Sequence, residues 1–550
     1  MQTQPEDAGA PLSRRPGRLD LFEGQGAYRR DAAPILPSDC FAPLPAAVQA
    51  NLVNGLLTAT EQRPGAAFAA FLALHAIVWT ALPALLYPNL PLDLIEALTY
   101  GREWQLGYDK LPPLPWWLVE ITYRIFGRDL FYYALAQGAV ITAFALIWKT
   151  ARPLVGPLGA LVALLIIDGL HYVHFTAAKF NHDVIQLPLW ALAGFSFHAA
   201  LRGGRLIHWI LLGLAIGIAL WAKYFVVVLA APLALFMLLD PQARRHFATL
   251  GPYLAIVIAF VVAAPHLLWL VQNDFLPFRY AEARAAPSSG LLDHVRHPLQ
   301  FVIGQLAFLL PALAIAVPLF VPRVDRAPAA VDAYDRRIIT LLAFGPGAAV
   351  ILLSLVTGRG AIAMWGYPLW QFVGLWIVMM APAITPARFA RVTTVWAIVF
   401  FVFAAAFFAS YAVLPNFDKR YRAVFFPGDK LGAELSARFR AMTGNRLAYV
   451  IGSMWTGGNV AHYAPEHPRV VIDGSPNRAP WIDLGDLQAR GAIVVWTDGD
   501  PRMLPVAYRG IAVDAEIQEP FALPYRWFGG EVVVGWAVLR PRPAVASFDR

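Results

Sequence analysis

Residues 92–117, LDLIEALTYGREWQLGYDKLPPLPWW, follow the first long apolar run of the chain and interrupt its apolar character. The stretch carries four acids and a lysine ahead of a proline–tryptophan cluster: Asp93, Glu96, Glu103, Asp109 and Lys110. Two interpretations fit this pattern. It is either a solvated connector between two membrane spans or a loop that carries the chemistry of the protein.

The composition of the whole chain is that of a membrane protein. Of 550 residues, 58% are hydrophobic and only 15% are charged, whereas about 25% of the residues in a soluble domain are charged. The excess apolar surface needs lipid to cover it, and several runs reach the roughly 20 residues that a transmembrane helix requires. We therefore predict an α-helical polytopic membrane protein. A single cysteine, Cys40, excludes an internal disulfide and a cysteine-cluster metal site.

Apolar runs separated by charged residues predict about eleven transmembrane helices. Residues 206–239 are too long for one span, and the sequence WAKYF (221–225) divides them into two. The predicted spans are 66–88, 129–148, 154–169, 184–200, two within 206–239, 250–271, 299–322, 338–356, 365–384 and 393–414.

The distribution of cations sets the expected orientation, because short loops rich in arginine and lysine stay in the cytoplasm. Every second segment between the predicted spans, counted from the N-terminal tail, carries at least two arginines or lysines. These residues are Arg14, Arg15 and Arg18; Lys149 and Arg152; Arg202 and Arg205; Arg244 and Arg245; Arg323, Arg326, Arg336 and Arg337; Arg388 and Arg391. We predict a bacterial inner-membrane protein with a basic cytoplasmic tail (1–62), a transmembrane catalytic domain (63–414) and a periplasmic domain (415–550).

The predicted periplasmic domain has the pattern of a small α/β unit. RLAYVIGS (446–453), RVVIDG (469–474) and AIVVWTDG (492–499) are apolar runs, and the last two end in the glycine and aspartate turns that bound buried strands. Residues 428–442 have the spacing of a helix.

Within the opening stretch, polar residues recur at helical spacing. Asp93, Glu96, Tyr100 and Glu103 fall on one face of a helix, and the apolar residues Leu94, Ile95, Leu98 and Trp104 occupy the opposite positions. Such a helix is expected to lie in the membrane interface with its acids turned to water or to a cavity. Pro112, Pro113 and Pro115 predict a sharp turn after Lys110. A lysine at this level also fits an ordinary interfacial anchor.

The order of these motifs resembles a known family. An acid after the first span, the turn GYDKLPPL (107–114) and a further acid in KFNHDVIQLPLW (179–190) are similar to the GT-C membrane glycosyltransferases. The similar branch contains protein O-mannosyltransferases, lipid A aminoarabinose transferase and rhizobial lipopolysaccharide galacturonosyltransferases. The resemblance covers about 65–415. It implies a GT-C fold and the transfer, with inversion, of a sugar from a polyprenyl phosphate to an envelope acceptor such as lipid A or lipopolysaccharide.

The resemblance also implies roles for individual residues. Asp93 matches the catalytic aspartate of the first loop, Asp183 matches the second acid, and Lys110 resembles the lysine near the donor phosphate. Many relatives have Asp-Glu at the first site, where this chain has Asp93 followed by Leu94, so Glu96 on the same helical face is a candidate substitute. If the acceptor is a hydroxyl, Asp93 is expected to take its proton; if it is a phosphate, no base is required.

Further candidates for holding the donor come from the other outside segments. Arg279 and Arg359, with Lys179 in reserve, are expected near the phosphate because cations stabilise a departing phosphate. A groove for the lipid carrier or the acceptor is expected from four aromatic residues: Tyr108, Trp116, Trp365 and Tyr367. An ordinary aromatic belt at the membrane surface fits these four nearly as well.

No cofactor is required by this interpretation. His171, His174, Asn181 and His182 near Asp183 admit a divalent metal such as zinc or manganese, but their spacing is not that of a known ligand set. The expected partners are a polyprenyl-phosphate sugar donor, an envelope acceptor and membrane lipids, and no nucleic acid. The competing interpretations are a transporter or flippase of lipid-linked sugars, a glycan polymerase or ligase, and a protein O-glycosyltransferase. The odd number of spans and the absence of an internal repeat argue against a transporter.

Overall fold

The computed structural model describes residues 55, 57, 58, 60–321, 331–418, 420–527 and 529–542. The predicted cytoplasmic tail (1–62), with Cys40, lies almost wholly outside these residues, and so do Arg323 and Arg326 of a predicted inside loop.

Helices make up most of the described chain. They are α1 Pro64–Leu86, α2 Leu92–Gly101, α3 Leu114–Phe126, α4 Leu130–Ile167, α5 His182–Gly203, α6 Leu206–Ala222, α7 Val227–Leu239, α8 Pro241–Arg244, α9 Gly251–Gln272, α10 Leu276–Arg284, α11 Asp293–Ala316, α12 Ala333–Thr357, α13 Val373–Met380, α14 Pro386–Phe408, α15 Gly428–Thr443, α16 Met454–Tyr463 and α17 Leu484–Arg490.

The chain is a multi-span membrane protein, but the predicted number of eleven spans is not confirmed. In the described part of the chain, seven helices are long and apolar enough to cross a membrane, or eight if a bent pair counts as one span. The predicted spans 129–148 and 154–169 fall in one element, α4, and 365–384 forms only the eight-residue helix α13. The predicted division at 221–225 is confirmed, because α6 ends at Ala222 and α7 begins at Val227.

A glycine divides α4 into two halves. Gly156 has φ 71° and ψ 174°, and Pro153 and Pro157 stand on either side of it. Residues with a Cβ almost never adopt this conformation, and proline lacks the amide that the helical hydrogen-bond ladder needs. The non-helical backbone at Gly156 is a kink between two helices, which correspond to the predicted spans 129–148 and 154–169.

We expect Gly156→Ala to lower the free energy of unfolding by about 1–3 kcal/mol, because alanine is strained in this backbone conformation. Gly138→Ala, in the same helix, is the matched control. A Cβ at either position meets no atom within 4 Å, and only Gly156 has a positive φ. Thermal unfolding of the purified protein in detergent measures the difference. An equal effect of the two substitutions would show that the backbone at Gly156 is not strained by a side chain.

A six-stranded sheet lies near the C-terminal end of the described chain. Its strands are β1 Tyr449–Gly452, β2 Arg469–Ile472, β3 Ala492–Trp496, β4 Glu516–Ile517, β5 Phe521–Pro524 and β6 Glu531–Leu539. The strand order is β2-β1-β3-β6-β4, with β5 also paired to β6. β1 is parallel to β2 and β3, and β6 is antiparallel to its three neighbours. The three predicted strands are confirmed as β1, β2 and β3, and the predicted helix as α15. Residues 428–539 are called the C-terminal α/β region below.

The C-terminal α/β region packs directly on α2, the helix that follows the first apolar helix of the chain. Gly458 of α16 lies so close to α2 that a Cβ there would be 2.6 Å from Cγ2 of Ile95 and 2.8 Å from Oγ1 of Thr99. Leu94 and Ile95 are fully buried. Protein therefore covers the apolar face of α2, which corrects the prediction that this face lies in the membrane interface.

Candidate active site

Asp93 occupies the first turn of α2, which begins directly after Pro91. The unpaired N–H groups at a helix N-terminus favour a carboxylate in this position. Asp93 Oδ2 lies 2.9 Å from Lys179 Nζ and accepts a 2.8 Å hydrogen bond from the side-chain amide of Asn181. The first predicted acid thus contacts two residues from a distant segment of the chain.

Asn181 orients its amide by capping the next helix. Its Oδ1 accepts hydrogen bonds from the backbone N–H groups of Asp183, at 3.0 Å, and Val184, at 3.1 Å. This is the usual role of asparagine at a helix N-cap. Because the oxygen is held by α5, the amide nitrogen is directed at Asp93.

Glu96 lies about one helical turn after Asp93 in α2 and binds Lys110. Lys110 Nζ donates a 2.6 Å hydrogen bond to Glu96 Oε2. The turn after Lys110 is fixed at Pro112, whose carbonyl oxygen lies 2.9 Å from His182 Nε2 at the start of α5. Lys110 Nζ also lies 5.3 Å from the ring centre of Tyr280 in α10, within the range of a cation–π interaction.

Asp183 forms the third pair. Lys223 Nζ donates a 2.6 Å hydrogen bond to Asp183 Oδ1, and Gln186 donates to the same oxygen at 3.2 Å. Lys223 reaches this position because it occupies the extended break between α6 and α7, with φ −165° and ψ 137°. The interruption of the long apolar run at WAKYF therefore places a cation in the site.

The three pairs use half of the lysines of the chain, which has six. Asp93, Lys179 and Lys110 keep 33%, 31% and 23% of their side-chain surface exposed, whereas Glu96 keeps 7%. Although protein atoms surround the pairs closely, Asp93, Lys179 and Lys110 keep part of their side-chain surface exposed. A ligand that reaches them meets two cations that are already ordered by carboxylates.

Burial and charge act in opposite directions on these groups. Burial alone would raise the pKa of Asp93, but the charge of Lys179 and the hydrogen bonds from Asn181 and Lys179 outweigh it and lower this pKa to about 2. Burial would lower the pKa of Lys179, and Asp93 raises it. For Glu96 burial outweighs Lys110, and its pKa is raised. Asp93 is therefore ionised throughout the neutral range, and Glu96 is the more basic carboxylate.

The C-terminal α/β region also binds the segment between α2 and α3, which contains Lys110. Arg478 Nε donates to Asp109 Oδ2 at 2.8 Å and its Nη2 donates to the hydroxyl of Tyr100 at 3.3 Å. The same hydroxyl donates to Asp109 Oδ1 at 2.7 Å. Arg469 forms an ion pair with Glu103. Since Asp109 directly precedes the site lysine in the chain, Arg478 fixes the backbone from which that lysine extends.

Two of the predicted groove residues lie inside the loop. Tyr108 donates a 2.7 Å hydrogen bond to the carbonyl oxygen of Tyr100, and the ring of Trp116 stacks on that of Tyr100 at 4.3 Å. Tyr108 and Trp116 are buried. They hold the loop together, and their role in a groove for the lipid carrier or the acceptor stays a prediction.

The other two predicted groove residues lie near the third pair. The half-buried Trp365 has its ring 6.0 Å from that of Phe225, which in turn lies 6.0 Å from Lys223 Nζ. Tyr367 is buried against Tyr172, with ring centres 4.9 Å apart. Of the four aromatic residues predicted for the groove, Trp365 keeps exposed surface beside this part of the site.

The two predicted arginines are not brought to the acid–lysine pairs. Arg359 forms an exposed 2.7 Å ion pair with Glu282 of α10. Arg279 is exposed, and its neighbour Tyr280 is the residue of α10 that contacts Lys110. Their phosphate-binding role is therefore without support from the geometry.

Several residues of the site were missed or underrated by the sequence interpretation. The sequence indicates Lys179 only as a reserve candidate for binding the donor phosphate. It indicates Lys223 only as part of the sequence WAKYF that separates two predicted spans. Asn181 was noted only as a neighbour of Asp183, although a polar residue directly before an apolar run signals an N-cap. No sequence pattern indicates that Tyr280 and Arg478 belong to the site, because their contacts join distant parts of the chain. Among the residues that the structure describes, the group that could hold a metal ion does not include Asp183, whose Oδ1 binds Lys223.

A cavity of about 500 Å³ lies between α2, α3 and the C-terminal α/β region. Its lining contains Arg102, Glu103, Glu120, Arg124 and Arg469, and none of the six residues of the acid–lysine pairs. The cavity is therefore separate from the candidate active site.

We expect Asp183→Asn and Lys223→Met each to lower the free energy of unfolding by about 3 kcal/mol, because each leaves a largely buried charge without its partner. The double variant should be more stable than either single variant, since it leaves neither charge. Thermal unfolding in detergent provides the measurement.

The exposed pair Arg359–Glu282 is the control for this cycle. Its N–O distance of 2.7 Å is similar, but exposed pairs contribute only about 0–1 kcal/mol. Arg359→Met and Glu282→Gln should therefore change stability little. Additive losses in the double variant Asp183→Asn/Lys223→Met would contradict the pairing.

Comparison with known proteins gives a consistent picture of the fold. Residues 110–269 match the family described as dolichyl-phosphate-mannose-protein mannosyltransferase. The crystal structure of ArnT from Cupriavidus metallidurans bound to undecaprenyl phosphate superposes with a TM-score of 0.56 at 14% identity, covering 87% of this chain and 98% of that one. The predicted resemblance and the GT-C fold are confirmed.

Curated relatives match part of the chain. The lipid A galacturonosyltransferase RgtD of Rhizobium johnstonii is 28% identical over 225 residues, 40% of this chain and 46% of that protein. The undecaprenyl phosphate-alpha-4-amino-4-deoxy-L-arabinose arabinosyl transferase of Pseudomonas savastanoi pv. phaseolicola is 28% identical over 188 residues, 32% of this chain and 34% of that protein. The alignments thus span less than half the length of these two relatives.

Proposed function

We propose that this protein is a membrane glycosyltransferase that transfers a sugar from a polyprenyl-phosphate donor to lipid A or lipopolysaccharide. The observation that carries the proposal is a cluster of three acid–lysine pairs contributed by separate segments of the chain: Asp93–Lys179, Glu96–Lys110 and Asp183–Lys223. One of these pairs, Asp183–Lys223, lies wholly within the segment that matches the mannosyltransferase family, and each of the other two contributes its lysine to that segment. Relatives named for lipid A and for undecaprenyl phosphate support the acceptor and the donor.

The charges suit the departure of a phosphate. An acceptor oxygen attacks the anomeric carbon while the bond from that carbon to the phosphate oxygen breaks, and the leaving phosphate gains negative charge. Lys110 and Lys179, the more exposed lysines of the site, are placed to stabilise that charge. Cations that are ordered before the reaction are most effective because they need no reorganisation. A single displacement of this kind inverts the anomeric centre.

The acids then have different roles. The low pKa of Asp93 makes it a weak base, so we assign to it the positioning of Lys179. If the acceptor atom is a phosphate oxygen, no base is needed. If it is a hydroxyl, Glu96 is the stronger base of the two, because its pKa is raised by burial. This reverses the order that the family resemblance implied.

The positive-inside pattern supports a periplasmic site. With the cation-rich loops in the cytoplasm, the acid–lysine pairs and the C-terminal α/β region face the periplasm of a bacterial inner membrane, and the N-terminus lies inside. Donor and acceptor lipids both reach a site at that surface. The lysines supply the positive charge of this scheme, and no step uses a divalent metal.

We expect Lys110→Met and Lys179→Met each to lower the rate of sugar transfer by about 10²–10³-fold, the usual effect of removing one group that stabilises developing charge. Lys149→Met is the control, because Lys149 is an exposed lysine of α4 outside the site. The assay uses purified protein in vesicles with lipid A and a polyprenyl-phosphate donor that carries galacturonate or 4-amino-4-deoxyarabinose. Mass spectrometry detects the modified lipid A.

Two outcomes of this assay would contradict the proposal. One is a rate in Lys110→Met and Lys179→Met equal to that of the control. The other is movement of the lipid-linked sugar across sealed vesicles without any glycosylated product, which would make the protein a transporter or flippase.

A further inference from the structure

A second cluster of ionisable side chains lies away from the acid–lysine pairs. His75 is in the middle of α1, Asp168 follows the last residue of α4, and His174 belongs to the segment that leads to α5. All three side chains are fully buried, and one ligand atom from each lies within 4.8 Å of the other two. Ionisable residues buried among membrane spans are costly and are retained for a function.

The contacts in this cluster are close but are not aligned as hydrogen bonds. His75 Nδ1 lies 2.7 Å and His174 Nε2 lies 3.2 Å from the same oxygen, Asp168 Oδ1. Within the described part of the chain, neither nitrogen of either histidine and no lone pair of this oxygen has a hydrogen-bond partner. Buried polar atoms are almost always paired in native proteins. Three of these atoms, Nδ1 of His75, Nε2 of His174 and Oδ1 of Asp168, lie close together, which indicates an occupant that they share.

The surroundings orient the carboxylate for such an occupant. Trp396 Nε1 donates a 2.6 Å hydrogen bond to Asp168 Oδ2, which leaves Oδ1 directed at the two imidazoles. Partners of this kind fix metal-binding carboxylates and histidines in known sites. The rings of Trp79 and Phe400 pack against His174, with centres 4.8 and 5.7 Å away, and exclude bulk water.

We propose that His75, Asp168 and His174 bind one divalent transition-metal ion of the zinc type. Two imidazoles and a carboxylate are ligands that Zn²⁺ accepts at about 2.0–2.2 Å in tetrahedral geometry, which separates neighbouring ligand atoms by about 3.3 Å. The 3.2 Å distance from His174 to Asp168 fits this geometry. The 2.7 Å distance from His75 has to open by about half an ångström. The fourth position is left for water.

The ion would join α1 to the segment that carries the site. His174 precedes Lys179 and Asn181 in one short segment between α4 and α5, and those two residues hold Asp93. A metal at His174 therefore anchors the backbone of this segment a few residues before Lys179 and Asn181. Binding itself depends only on the three ligands, and its test does not require sugar transfer.

The test is the metal content of the full-length protein, purified in detergent with a tag that contains no histidine from cells grown with added zinc. Elemental analysis should find about one zinc per chain in the wild type and in His171→Gln. His171 is the matched control, because it lies three residues before His174 and has no atom in the cluster. His75→Gln and His174→Gln should each lose at least about nine-tenths of the metal.

X-ray absorption at the zinc edge of the wild type adds a measurement that needs no variant, and it should show two imidazoles and oxygen at about 2.0–2.2 Å. A wild type without stoichiometric metal would overturn the proposal. Full metal content in His75→Gln and His174→Gln, or an absorption spectrum without histidine, would overturn it as well. One equivalent of iron bound with the same dependence on His75 and His174 would support the site and correct the metal.

Discussion

The pairing of Asp93 with Lys179 is the interaction on which the rest of the candidate site depends. A carboxylate surrounded by protein is stable only if a cation and hydrogen bonds compensate for lost water. Lys179 and Asn181 provide both, and they lower the pKa of Asp93 even though burial would raise it. The same contact fixes the position of Lys179, which keeps 31% of its side-chain surface exposed. One ion pair therefore keeps an acid ionised and a cation available for a ligand.

The fold brings such pairs together by interrupting its helices. Lys223 lies in the break between α6 and α7, Asn181 caps α5, and Lys110 precedes a proline turn. Non-helical backbone at membrane depth is tolerated where it lines a cavity or is buried in protein. The C-terminal α/β region completes the arrangement, because Arg478 binds Asp109 beside Lys110. The lysines of the site thus stand on irregular segments, and their carboxylate partners stand on the helices α2 and α5.

The sequence predicts local features of this protein better than the contacts between distant segments. The helix at α2, the turn after Lys110 and the break at Lys223 follow from helical spacing, proline and a charge in an apolar run. The lysine partner of each acid cannot be predicted in this way, because Lys179 and Lys223 contact their carboxylates only after the helices pack. The burial of Tyr108 does not follow from the sequence for the same reason: nothing in the sequence shows that Trp481 of the C-terminal α/β region packs on its ring.

The most direct test of the account is mass spectrometry of lipid A and core oligosaccharide from cells that produce the protein, cells that lack it, and cells that produce Asp93→Asn at equal membrane level. We predict an added sugar only with the wild-type protein. Asp93→Asn should give none, because Lys179 loses the carboxylate that orders it. An identical glycan pattern in all three strains, or full modification by Asp93→Asn, would contradict the account.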